Sequence, residues 1–219
     1  MVAVDRGRYT CRPETDRDVL VAAVRGGSMR RTPVVVGDKV SLVGDLSGKP
    51  GSLARIVRRE ERRSVLRRTA DDTDPVERPI VANADLLVIV CALADPPPRP
   101  GLIDRCLVAA YDGGLTPVLC LTKADLADPE PVARQYRPLG LPVVSTRPDS
   151  DLSDLLALIR NTTSVFFGHS GVGKSTLVNR LVPSADRRIG EVSAVTGRGR
   201  HTSSDAVALP LPGGGTVID

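Results

Sequence analysis

At 219 residues, 41% of them hydrophobic and 2% aromatic, the chain has room for one large or two small domains and enough apolar content for a core. Wholesale disorder is excluded, and Tyr9, Tyr111, Tyr136, Phe166 and Phe167, with no Trp, are too few for an aromatic cofactor cage or a base-stacking platform. The formal charge of +4 is uneven, since residues 1–72 carry 16 Lys and Arg against 10 Asp and Glu while residues 73–219 carry 14 against 16. A basic first third suits contact with a polyanion; because Arg far outnumbers Lys, it equally suits a genome-wide composition bias.

The longest strongly apolar run, 86–94, is shorter than the ~20 residues a membrane span needs. The start, MVAVDRGRY, meets charge at once and has no apolar signal-peptide core. A soluble, cytoplasmic protein without membrane contact is expected. Cys11, Cys91, Cys106 and Cys120 have no CxxC spacing and read as buried free thiols.

In chain order, residues 19–66 show short β-type runs (VLVAAV, TPVVVGDKVSLV, LARIV) broken by RGGS and GDLSGKPGS, the punctuation of a small all-β barrel or meander. The expected division is a β-barrel domain at 1–70, a linker at 71–84 within an acidic, Pro-containing stretch, and an α/β domain at 85–219. In that last part apolar runs (DLLVIVCALA, PVLCLTK, LPVVST, SVFFG) alternate with helical-length segments at 101–112, 129–138, 151–161 and 173–182. Such uninterrupted apolar strands between helices predict a parallel sheet buried on both faces.

Residues 168–175 read GHSGVGKS, a full match to G-x-x-x-x-G-K-[ST], between an apolar strand and the helical STLVNRL. Gly168, Gly171 and Gly173 allow the tight curl that turns the N–H groups of His169, Ser170, Val172 and their neighbours onto a phosphate. The helix starting near Gly173, with Thr176 in its first turn, adds its positive dipole end. Lys174 supplies a charge for the β- and γ-phosphates, and the Ser175 hydroxyl is a Mg²⁺ ligand.

Thr122, Lys123, Ala124 and Asp125 form TKAD directly after an apolar strand, similar to the N-K-x-D guanine-specificity motif. Asp125 can accept the N1–H and N2–H of guanine, a donor pair that adenine lacks. The stem of Lys123 would lie over the ring, and Thr122 in place of Asn keeps part of the amide's hydrogen bonding. Alone, such a tetrapeptide is also an acidic turn at a helix start. Ser145-Thr146, one strand later, takes the place of the last GTPase motif, whose backbone N–H meets the guanine carbonyl.

TKAD precedes the phosphate loop by more than forty residues, so the usual motif order is circularly permuted. With VGDKV at 36–40, RRSVLRR at 62–68, PIVANAD at 79–85, GHSGVGKSTLVN and GRGRHTSS at 197–204, the chain resembles the circularly permuted, ribosome small-subunit-dependent GTPases, the RsgA or YjeQ family. The resemblance runs from the N-terminal region to the last residue. It implies a P-loop GTPase domain with a parallel-rich sheet and flanking helices behind a small OB-fold barrel that contacts ribosomal RNA. It further implies GTP and GDP with Mg²⁺ as ligands, GTP hydrolysis in late maturation of the small ribosomal subunit, that subunit and its rRNA as partners, and a monomer. Arg58, Arg59, Arg62, Arg63, Arg67 and Arg68 are candidate RNA contacts; a solvated charged segment interrupted by Glu60 and Glu61 is the plainer reading.

By the same resemblance GRGRHTSS is the first switch, with Thr202 as the hydroxyl completing the Mg²⁺ shell and Ser203 second to it. His201 would either position water or face solvent. Asp219, at the end of VID, would open the D-x-x-G motif that senses the γ-phosphate through Mg²⁺. The rest of that motif, the second switch and the family's Cys/His zinc domain are then expected to be missing, with zinc confined to that domain and hydrolysis impaired. A non-hydrolysing guanine-nucleotide and RNA-binding fragment stays open, as does a P-loop ATPase or kinase with a chance TKAD.

Overall fold

The computed structural model describes residues 1–5, 7–16, 18–71, 74–185, 189–190, 192 and 206–219. They form two compact units: Met1–Asn83 with Ser184–Leu209, and Ala84–Pro183 with Pro210–Asp219.

The first unit holds β1 (Ala3–Asp5), β2 (Arg8–Cys11), β3 (Val21–Arg25), β4 (Val40–Gly44) and β5 (Ala54–Arg59) in a five-stranded sheet of order β1-β2-β3-β5-β4. β3 and β5 run parallel and the other neighbours antiparallel. Alternation drives the packing of β5, where Ala54 and Ile56 are buried with Tyr9, Cys11, Val21 and Ala23 while Arg55 and Val57 face outward; β2 is buried from Tyr9 to Cys11. β1 and β2 lie upstream of the β-type runs read from the sequence. Residues 32–39, read as one run with β4, supply only an isolated bridge from Val36 to Val81.

β6 (Val65–Asp71) and β7 (Asp74–Ala82) pair as an antiparallel hairpin, correcting the expected linker at 71–84. The apolar PIVA at the end of that stretch is the cause, because Val81 and Ala82 are 2% and 1% exposed and Leu66 opposite is 4% exposed. The VGDKV segment belongs to this packing. Gly37 has φ +86°, and a Cβ there would stand 1.9 Å from the Ala82 carbonyl. Asp38 is fully buried, and its carboxylate accepts Arg62 Nε at 2.7 Å, Arg62 Nη2 at 2.8 Å and the Val35 N–H at 2.8 Å. Asn83, at φ +56°, accepts the Arg63 N–H at 2.9 Å and donates to the Gly37 carbonyl at 3.0 Å.

The second unit alternates strand and helix: β8 (Leu86–Ala92), α1 (Pro100–Asp112), β9 (Thr116–Thr122), α2 (Glu130–Tyr136), β10 (Val143–Ser145), α3 (Ser153–Ile159), β11 (Thr163–Phe167) and α4 (Lys174–Leu181). The chain then passes through β12 (Ala208–Pro210) to β13 (Thr216–Ile218). The strands stand in the order β10-β9-β8-β11-β13, every pair parallel, as the apolar runs predicted. Central β8 is buried from Leu87 to Ala92, and α1 covers the sheet with Ile103, Cys106, Leu107 and Ala110, one helical stripe. Asp85 registers the strand starts: its N–H donates to the Thr163 carbonyl, its carboxylate accepts the Thr163 N–H, and its carbonyl accepts the Thr116 N–H. No described helix is long and apolar enough to cross a membrane.

Candidate nucleotide site

The parallel sheet collects the candidate residues of the second unit at one edge, the C-terminal ends of its strands, where open α/β sheets bind ligands. Thr122 ends β9, Ser145 ends β10, Gly168 follows β11 and Asp219 follows β13. Residues 201–203, with the switch candidates Thr202, Ser203 and His201, lie outside the described residues.

The phosphate loop needs its glycines for two physical reasons. Gly171 and Gly173 sit at φ +84° and +86°, where a side chain is strained, whereas Gly168 is constrained by space, since a Cβ would stand 2.6 Å from the Val90 carbonyl. Gly173 caps α4, and no side chain caps the helix. The first N–H groups of the eight-residue helix, on Lys174, Ser175 and Thr176, have no side-chain cap among the described residues. That leaves a backbone cradle with the donor geometry and field an anionic phosphate requires. Ser175 and Thr176 are exposed, Val172 is buried, and His169 stays local, with Nδ1 3.0 Å from the Ser170 carbonyl.

Lys174 is three-quarters buried and its ammonium donates to the Asp219 carboxylate. The structure thus brings together two residues forty-five positions apart that the sequence reading assigned to phosphate and Mg²⁺ chemistry. Ser175 and Asp219 offer hard oxygen donors beside that lysine, the ligand class Mg²⁺ takes.

Thr122 is 6% exposed and its hydroxyl donates to the Val172 carbonyl at 2.6 Å, so the first TKAD residue touches the phosphate loop. Lys123, at φ +59°, donates from its ammonium to the carbonyl of Asp95 in the loop after β8. Asp125 is exposed. The Ala124 N–H donates to the Thr146 carbonyl at 3.1 Å, joining this turn to the end of β10. Of the pair Ser145-Thr146, the Thr146 N–H is held by the Leu121 carbonyl at 2.8 Å. The exposed Ser145 N–H points off the edge strand instead, by the alternation of a parallel ladder.

Sequence reasoning did not single out the 95–98 loop, although its Asp95 carbonyl holds Lys123 and its Pro96 stands nearest Gly171. The run DPPP was the available signal, a rigid turn directly after a buried strand. Of the arginines offered for RNA contact, Arg62 is occupied by Asp38, Arg59 donates to the Pro33 carbonyl at 2.9 Å, and Arg67 lies 4.0 Å from Glu77. Arg58, Arg63 and Arg68 are exposed.

A parallel α/β sheet whose G-x-x-x-x-G-K-S loop follows a later strand than TKAD defines a P-loop α/β domain of permuted motif order. The RsgA GTPase family signature matches residues 59–219, and the chain belongs to that family. It is 43% identical over 171 residues to the small ribosomal subunit biogenesis GTPase RsgA of Chromohalobacter salexigens, covering 75% of this chain and 49% of that one. With the protein of the same name from Pseudomonas aeruginosa it shares 41% over 194 residues, 85% of this chain and 55% of the other. The chain thus spans about half the length of the curated relatives it matches. Among solved structures, YjeQ from Thermotoga maritima superposes with a TM-score of 0.69 at 26% identity, covering 100% of this chain and 72% of that one. YloQ, a circularly permuted GTPase, does so with 0.66 at 25%, covering 100% and 69%.

Proposed function

We propose that this chain binds GTP and hydrolyses it to GDP, acting in late maturation of the small ribosomal subunit through contact with its rRNA. The observation that carries the nucleotide part is the bond from Thr122 to Val172, which joins the strand end bearing TKAD to the phosphate loop. A nucleotide needs those two features at one nucleotide's span. Family membership and the names of the relatives support the ribosomal part.

In this reading the main chain of Gly168, His169, Ser170, Gly171, Val172 and Gly173, continued by Lys174, Ser175 and Thr176, binds the α- and β-phosphates. Lys174 exchanges Asp219 for the β- and γ-oxygens. Asp125 accepts from guanine N1 and N2, Lys123 covers the ring with its stem, and Ala124 and Ser145 border the base. Ser175 and Asp219, with Thr202, would hold Mg²⁺, which when bound neutralises charge on the β- and γ-phosphate oxygens. The helix N–H groups and Lys174 stabilise the charge that develops on the transferred phosphoryl group, an electrostatic contribution to hydrolysis.

The first unit reads as an OB-fold. Support comes from five strands in the order β1-β2-β3-β5-β4, with β3 parallel to β5, and from exposed Arg55, Arg58, Arg63 and Arg68. With so few rings, its RNA contact is phosphate-led. The protein works as a cytoplasmic monomer.

The test is equilibrium binding of a fluorescent GDP in Mg²⁺, competed by GDP and ADP, followed by GTP turnover with and without small ribosomal subunits. GDP displaces the probe, ADP does so only at far higher concentration, and turnover rises with subunits and disappears in Lys174→Ala. Equal competition by ADP overturns guanine reading, and binding without turnover leaves the non-hydrolysing alternative.

A further inference from the structure

We infer that Arg180 is a positioning residue for base recognition, clamping from the far end of α4 the loop on which the Asp125 turn hangs. This rests on the guanine reading above. Arg180 is half-buried in the last turn of α4; Nη1 donates to the Arg147 carbonyl at 2.8 Å and Nη2 to the Ser150 carbonyl. One planar fork holds two carbonyls three residues apart, which a lysine ammonium does not reproduce.

The clamped turn is also tied within itself. Ser150 Oγ accepts the Arg147 N–H at 3.0 Å and donates to the Arg147 carbonyl at 3.1 Å, which the Ser150 N–H reaches at 3.3 Å. One residue before it, Thr146 is fixed to β9 through the Leu121 carbonyl, and its own carbonyl accepts the Ala124 N–H. Asp125 is the next residue. A continuous path therefore runs from Arg180 through Arg147 and Thr146 to Ala124 and the carboxylate assigned to guanine.

The same helix begins with Lys174, six residues earlier, about 9 Å along the axis at 1.5 Å per residue. Its N-terminus faces the phosphate cradle while Arg180 holds the base side, so both ends of the nucleotide are referenced to one rigid element. An exposed aspartate reads a base only if its turn is held still; Thr122 and Lys123 hold the start of that turn to the phosphate loop and the Asp95 carbonyl, and Arg180 holds the loop that meets it through Thr146.

The test measures displacement of fluorescent GDP by GDP, ADP and pyrophosphate, with thermal denaturation alongside, for the unaltered chain, Arg180→Met, Arg180→Lys and Ser150→Ala. Arg180→Met weakens GDP about tenfold, with ADP and pyrophosphate changed less than about twofold; Arg180→Lys stays close to Arg180→Met, and Ser150→Ala moves GDP about threefold the same way. Ser150→Ala leaves the core untouched and reports on the clamp even if Arg180→Met does not fold. All three competitors weakening in step would reduce Arg180 to a structural role and overturn the inference. So would an intact GDP preference in both Arg180→Met and Ser150→Ala. An unaltered chain that does not prefer GDP to ADP removes the guanine reading itself, visible before any variant is compared.

Discussion

The hydroxyl of Thr122 donates to the carbonyl of Val172 at 2.6 Å, fastening the middle of the phosphate loop to the end of β9. In a trans peptide the Val172 carbonyl and the Gly173 N–H point in opposite directions, so holding one aims the other. Thr122→Val keeps the shape and removes the donor. It is expected to cost about 1–2 kcal/mol of stability through an unpartnered buried carbonyl. GDP affinity falls about tenfold with it, since that is what about 1.4 kcal/mol of lost loop positioning amounts to. Thr122→Ser retains both. Denaturant titration and GDP binding on the two variants check the pair of outcomes.

That contact was only half legible in the sequence. The phosphate loop could be read because positive φ at Gly171 and Gly173 and the crowding at Gly168 leave glycine little competition. The parallel order could be read because β8, buried on both faces, must be apolar throughout. Where the Thr122 hydroxyl points, or that Arg180 reaches two carbonyls thirty and more residues upstream, is set by tertiary geometry that a one-dimensional pattern does not encode. The β6–β7 hairpin was hidden for another reason. The acidic, Pro-containing composition of residues 71–78 dominates locally, and only Pro79 to Ala82 carries the strand signal. β1 and β2 are three and four residues long, too short to show a period.

Gly37→Ala tests the VGDKV segment. The new methyl meets the Ala82 carbonyl at 1.9 Å and the backbone must leave φ +86°, so the first unit loses roughly 3 kcal/mol or more. Gly27→Ala is the matched control, with nothing within 4 Å of the added methyl. Urea unfolding followed by hydrogen exchange distinguishes loss confined to residues 1–83 from global loss. Equal midpoints for the two variants contradict the packing described here.

The Asp38–Arg62 pair explains an arginine that charge alone would assign to RNA. Arg62→Met leaves a fully buried carboxylate that, among the described residues, accepts the Val35 N–H without its guanidinium, and is expected to cost about 3–5 kcal/mol. The double variant Asp38→Asn with Arg62→Met recovers much of that loss, because the uncompensated charge is gone. In contrast, Arg58→Ala and Arg68→Ala, at exposed positions, change stability by less than about 0.5 kcal/mol. A four-member cycle by urea denaturation, with positive coupling between Asp38 and Arg62, is the expected result.

All four cysteines are buried free thiols, and burial sets their titration. It pushes Cys120 from 9.0 up to about 12, and Cys11 and Cys106 up to about 11, while Cys91 is raised in the same direction. A thiol whose folded pKa lies above its unfolded one favours the protonated native state. That contribution is complete below pH 9 and is lost as pH rises from 9 through 11 to 12. Native stability in urea is therefore expected to hold between pH 7.5 and 8.5 and to fall above pH 9. Cys120→Ala, whatever its cost at pH 7.5, flattens part of that fall because one buried proton no longer has to be kept. Alkylation gives a second readout: iodoacetamide at pH 8 labels the native chain slowly and all four thiols at once in urea, since the reactive thiolate forms only after opening. Rapid native labelling of Cys120 at pH 8 would contradict its burial.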